Sequence, residues 1–284
     1  MQRSTKFLAA LLAGMGVWAT GSAVQGGVIP LPPPGPVRVA KADAVIVGKV
    51  ESLEAKDLMI DNATYRIAVV KIEQGLKGTK DAKTLRIGFV PIPKPMENGK
   101  GPFVVRTGGR PVQLEAGQEG LFILKKHAKE DFYTIGGMIG YYISKEKNKD
   151  FDKEIESVKV IVKVADKPQA ALKEKDAQER LVAAALLIEQ YRSWRGPAGK
   201  LEPIDAEESK QIMQVLADGD WQTAGTFNSL RPTSMQLFQR LGITVMDGFV
   251  PAAPGGNSQA AAQAWVRDHV QTYRIKRFVA GDAK

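Results

Sequence analysis

The sequence predicts an α+β protein: an N-terminal five-stranded β-barrel with a helix after it, then a C-terminal all-α domain. Three observations carry this reading. From Asp43 to about Ile143 the residues form short runs rich in β-branched and apolar side chains, broken by glycine and asparagine turns. One of those runs holds a glycine in its middle, Gly48, where barrels place a bulge or sharp bend. Beyond Pro168 the apolar spacing becomes helical.

Residues 1–23 read as a cleaved export signal. Arg3 and Lys6 precede an apolar run from Phe7 to Trp18, and small residues follow, with Gly21 and Ala23 at the spacing a signal peptidase accepts. That run is shorter than the roughly 20 apolar residues a membrane anchor needs. No transmembrane segment is therefore expected once the signal is removed, and the protein is expected to be exported: periplasmic, on the cell surface or extracellular. The chain has no cysteine, so neither a lipidated N-terminus nor a disulfide can hold it, and its core must do so. Residues 24–40 are read as a proline-rich leader. Within them "VIPLPPPGPV", Val28 to Val37, carries five prolines and favours extended geometry over helix.

Residues 41–165 hold the strands. In "ADAVIVGKV" the opening strand begins apolar on both faces and becomes half-solvated toward Glu51. "DNAT" marks a turn before "YRIAVVKIEQGLKG", which stops at Gly75 and Gly78; "TLRIGFV", "GLFILKK" and "DFYTIGG" complete five strands, a number that suits a small barrel. Phe151 to Ala165 fits strand alternation and helical spacing alike, and its acidic start, Asp150, Asp152 and Glu154, favours helix.

Residues 166–284 read as helical. "DAQERLVAAALLIEQYRSW" opens on Asp176 and Glu179 as a capping pair, and its apolar face is so wide that a central position is expected. A second helix starts at Asp205 with Glu208 and stops at Gly219, a third spans about Thr233 to Leu241, and a last one about Ser258 to Phe278.

The strand sequences "KADAVIVGKVESLE", "YRIAVVKIEQGLKG", "LRIGFV", "LEAGQEGLFILKK" and "DFYTIGG" resemble the netrin-like module, the inhibitory domain of tissue inhibitors of metalloproteinases. The shared features are Ala42 and Asp43 opening the first strand, Leu76, Lys77 and Gly78 after the second, and Gly117 before the apolar run Leu121 to Leu124, covering about residues 41–143. The resemblance implies an OB-fold barrel with a helix at its end. It does not extend to the family's zinc-chelating N-terminal cysteine, which this chain lacks with every other cysteine, so no functional residue is transferred.

Composition narrows the function further. The formal charge is +9; without Arg3 and Lys6 it is +7, of which +6 lies in residues 24–165 and +1 in 166–284. The lysines alternate with acids, so they read mainly as a solvated surface, with an extracellular polyanion as a possible partner and nucleic acid not expected. Two lone histidines, His127 and His269, fall short of the three or more ligands that a zinc or iron centre gathers, and "TIGGMIGYY" lacks the spacing of a phosphate loop. No metal, cofactor or catalytic residue is assigned. Asn62, Ala63 and Thr64 form a glycosylation sequon. Phe132, Tyr133, Tyr141 and Tyr142 suit a barrel's core and rim. Asp205, Glu207 and Glu208 are explained by helix capping.

The segment Pro91 to Leu114 exceeds the roughly 12 to 15 residues beyond which structureless loops become uncommon in compact domains. It carries Lys94, Lys100, Phe103, Arg106 and Arg110, and these five are the candidate binding residues. The expected function is an exported, non-enzymatic binding protein whose barrel contacts a protein or extracellular polymer. The alternative is a secreted hydrolase with carboxylates assembled between the two domains.

Overall fold

Strand β1 (Ala44–Leu53) is buried on both faces over its first five residues and alternates thereafter, as its apolar pattern requires. In the computed structural model, which describes residues 33–92, 112–193, 199–222, 229–253 and 256–280, the chain is mixed α+β. Pro32–Lys284 form one unit by internal contacts, and Met1–Leu31, with the expected signal, lie outside the described residues.

Ahead of β1, helix α1 (Gly35–Lys41) buries Val37 and Val39. This differs from the extended leader expected over Val28–Val37. Pro36 falls in the first helical turn, where its missing N–H costs nothing. Arg38 is buried too; its Nε donates to the Pro33 carbonyl at 3.0 Å and its guanidinium lies over the Tyr141 ring at 5.4 Å.

The sheet has seven strands. After β1 come β2 (Leu58–Ile60), β3 (Ala63–Lys77), β4 (Thr84–Phe89), β5 (Glu119–Lys126), β6 (Tyr133–Thr134) and β7 (Tyr141–Ser144). Five were expected; β2 and β7 are additional. Asp61 and Asn62 take positive φ angles of 48° and 64° and turn β2 tightly into β3. Strand β1 pairs antiparallel with both β3 and β5, β3 with β4, and β5 with β6 and β7, while β4 and β6 run parallel. The register of β1 on β3 shifts at Gly48, the position singled out by its glycine.

Alternation along β1 and β5 sorts side chains into two cores. Ala44, Ile46, Phe122 and Leu124 point into a cluster with Val70, Ile87, Phe89 and Leu114. Val45, Val47, Leu121 and Ile123 point the other way, into a larger cluster shared with the helices. Those helices are α2 (Phe151–Ala165), α3 (Pro168–Ala171), α4 (Ala177–Arg192), α5 (Ala206–Asp218), α6 (Ser234–Leu241) and α7 (Ser258–His269). The ambiguous segment is α2: Phe151, Val158, Ile161 and Val164 are its buried stripe.

Helix α4 is central, packing against α1, α2, α3, α5 and α6. Asp176 accepts from the Gln178 and Glu179 backbone N–H groups at 2.7 and 2.9 Å, whereas Glu179 turns its carboxylate to Lys163 at 2.6 Å instead of closing a capping box. Thr233 and Gln236 do form a reciprocal box on α6.

The expectation of an all-α C-terminal part needs correction. Helix α7 stops at His269, not near Phe278, and one last turn follows it, in which the Thr272 and Tyr273 N–H groups share the His269 carbonyl at 3.1 and 2.9 Å. The residues that follow form β9 (Lys276–Ala280), which pairs antiparallel with β8 (Gly199–Pro203). "YRIKRFVA" is rich in aromatic and β-branched residues, and a distant strand partner, with Gly199 opposite Ala280 and Pro203 opposite Lys276, decides its state over its local helical spacing.

Candidate functional site

The chain re-enters the described residues at Val112, and Leu114 is anchored in the inner core. Between that anchor and the start of β5 the backbone is sewn to β1: Gly117 N–H donates to Val50 O at 2.8 Å and Val50 N–H to Gln118 O at 2.9 Å. The side chain of Gln118 accepts from Glu115 N–H at 3.2 Å. This turn forms one wall of a cleft of about 540 Å³, and the other is β7 with the residues after it; Glu115, Gln118, Glu119, Tyr142, Ser144 and Lys145 are among its lining.

Tyr142 shapes the floor. Its hydroxyl donates to the Glu119 carbonyl at 3.1 Å and its ring tilts against Phe122 at 4.9 Å. The ring fits because residue 120 is glycine: a Cβ there would overlap Tyr142 Cε2 and crowd the Ile143 carbonyl. Burial pushes the Tyr142 hydroxyl above its ordinary pKa.

Glu119 sits between two cations, with Lys145 Nζ at 2.9 Å and Lys49 Nζ at 3.1 Å. The hydrogen bonds from Lys145 and then Lys49 hold its carboxyl below the usual glutamate range. The result is a polar, partly charged rim with hydrogen-bond donors and acceptors fixed by sheet pairing. Such a surface can bind a polar or charged group.

The five sequence-predicted binding residues, Lys94, Lys100, Phe103, Arg106 and Arg110, lie outside the described residues; their segment ends at this cleft, whose described lining includes Gln113. The sequence placed Tyr142 in the barrel's core or rim without giving it a site, and it did not single out Glu119 or Lys145. The available signal was Gly120 at the head of an apolar strand, which marks a close approach, but the approaching ring comes from a strand not anticipated.

The other singled-out residues lie elsewhere. His127 stacks on Phe132 at 4.7 Å and meets the Tyr65 ring edge at 5.5 Å. His269 stacks on Trp265 at 4.3 Å, its Nδ1 2.8 Å from the Trp265 carbonyl. Asp205 caps α5, accepting from Glu207 and Glu208 N–H at 2.9 and 3.0 Å, while Glu208 accepts from the Tyr191 hydroxyl at 2.6 Å. Among the described residues no group of three or more His, Asp or Glu is placed to hold a metal ion, and no helix is long and apolar enough to cross a membrane.

Comparison with known proteins leaves the geometry to speak for itself. No protein-family model matches the chain, and no curated protein matches it.

Proposed function

We propose that this chain is an exported binding protein in which a netrin-like OB barrel contacts a protein or an extracellular polyanion through the segment Pro91 to Leu114 and the cleft lined by Gln113, Glu119 and Tyr142. The observation that carries the reading is the circuit of strand pairings. Taken in order, β1 pairs β3, β3 pairs β4, β4 pairs β6 in parallel, β6 pairs β5, and β5 returns to β1. A five-strand circuit of this kind is what an OB barrel requires, and such barrels bind ligands through rim loops and one sheet face. The residues that carried the netrin-like resemblance also meet: Gly78 packs on the Asp43 carbonyl, and Lys77 holds the end of α1. Export rests on the N-terminal charge and apolar pattern.

Replacing Lys94 to Arg110 by a short glycine–serine turn tests the contact. The described strand pairings join residues outside Lys94 to Arg110, so the shortened protein should keep its far-ultraviolet circular dichroism. Capture of a partner from the exported fraction, measured side by side with the intact chain, should fall at least tenfold. Undiminished capture would move the site away from this rim.

A further inference from the structure

The segment after α6 presents apolar side chains to water on a fixed support. Val245, Met246 and Val250 are 68%, 91% and 78% exposed. The backbone holding them is a single 3-10 turn (Val245–Asp247), capped reciprocally: Thr244 Oγ1 accepts from Met246 N–H at 3.2 Å, and Asp247 Oδ2 accepts from Thr244 N–H at 3.1 Å. Asp247 is also tied to β9 by Lys276 Nζ at 2.7 Å. Phe249, between the exposed residues, packs edge-on against Phe238 at 5.1 Å and Trp265 at 6.5 Å. Folding gains nothing from three large apolar side chains held out in this way.

The neighbouring ribbon is basic. Strands β8 and β9 carry Lys200, Lys276 and Arg277 against the single acid Glu202. Arg192 joins them from α4, its Nη1 donating to the Lys276 carbonyl at 3.3 Å and its guanidinium lying over Phe278 at 5.1 Å. Among the described residues the acids near this collar include Asp247, paired with Lys276, Glu189, whose partners are Ser193 and Arg240, and Glu208, which accepts from Tyr191 close to Arg277.

We propose that this loop seats the protein on an anionic lipid surface, with Val245, Met246 and Val250 entering the boundary between headgroups and acyl chains and the basic ribbon lying among lipid phosphates. A protein partner is a poorer fit, since a stable protein interface buries roughly 800 Å² on each side and three side chains at a tip offer far less. A bilayer requires only an apolar tip and nearby cations.

Co-sedimentation of the full chain with phosphatidylcholine vesicles, with and without phosphatidylglycerol, tests it. Binding should need phosphatidylglycerol and weaken as salt rises. The triple variant V245S/M246S/V250S should lower the partition coefficient at least a hundredfold, and K200Q/R277Q by about fivefold per residue. All proteins share one N-terminus, so the differences between them belong to the loop and ribbon. Thermal unfolding checks that the variants fold; should the triple variant not, M246S alone carries the test with about a tenfold loss. Equal binding by wild type and loop variant, absence of binding to any vesicle, or self-association in the ultracentrifuge that the loop variant abolishes would each overturn the proposal.

Discussion

The ammonium of Lys77, at the end of β3, donates to the carbonyl oxygen of Ala40 at 2.6 Å and to that of Val39 at 3.0 Å. A cation thus closes the C-terminal end of α1, where the helix dipole is negative and carbonyls lack partners in the helix. Burial pulls the Lys77 pKa below the ordinary lysine value, so the bonds form in a partly desolvated place. K77M keeps the apolar stem and removes the donors. It should cost about 2 kcal/mol, the size of charge-assisted bonds lost from a partly buried site, read as a lower urea midpoint. An unmoved midpoint would show that α1 is held by its apolar contacts alone.

Asp43 sets an acid limit at the same corner. Burial would raise its carboxyl pKa, but donated bonds from Lys125 Nζ and Lys126 N–H, both at 2.7 Å, and the charges of Lys125 and Lys77 outweigh that and hold it below the ordinary aspartate value. A carboxyl depressed on folding stabilises above its unfolded pKa of about 4, and the contribution is lost as pH falls through that value to the folded one. Wild type should therefore exceed D43N in stability at pH 6, and the gap should narrow steadily toward pH 3. Urea melts at several pH values measure it; a constant gap would remove Asp43 from the pH dependence.

Two tyrosines should titrate late. Burial, reinforced by the hydrogen bond to Glu208, pushes the Tyr191 hydroxyl up to about 12; burial followed by the charge of Asp247 does the same for Tyr273. For a hydroxyl raised above its unfolded value of about 10, the stabilisation is complete below pH 10 and lost between there and the folded value. Ultraviolet titration should leave these two un-ionised after the exposed rings have titrated, and Tyr142, which burial also raises, should lag the exposed rings too. Y191F should remove one late step, and its persistence would reassign the step to another ring.

G120A should disturb the cleft from beneath. The added Cβ overlaps the Tyr142 ring and crowds the Ile143 carbonyl, so either the ring swings out or the β5–β7 pairing loosens. Overpacking of this kind costs about 1–3 kcal/mol. The thermal midpoint should fall, and partner capture with it if the rim is the contact. An unchanged midpoint would mean that β7 yields freely.

Much of the architecture was written in local pattern. Apolar alternation and Gly48 located β1 and its bulge, the acidic start before Phe151 matches α2, and Asp176, Asp205 and Thr233 mark helix starts that the backbone bonds bear out. These features are legible because a capping side chain, a glycine in a strand and an acidic helix start each act within a few residues.

Tertiary structure alone decided the rest. Strand β9 exists because Gly199–Pro203 offers a partner, and Glu119 meets Lys49 across a ladder spanning 70 residues. The cleft follows from an unanticipated strand placing Tyr142 over Gly120. Residues 35–41 became helix because burying Val37 and Val39 and capping by Lys77 outweigh the extended preference of a proline-rich stretch. In each case the deciding energy is a contact between residues distant in sequence, and pairing, burial and long-range charge leave no periodic trace in the chain that they organise.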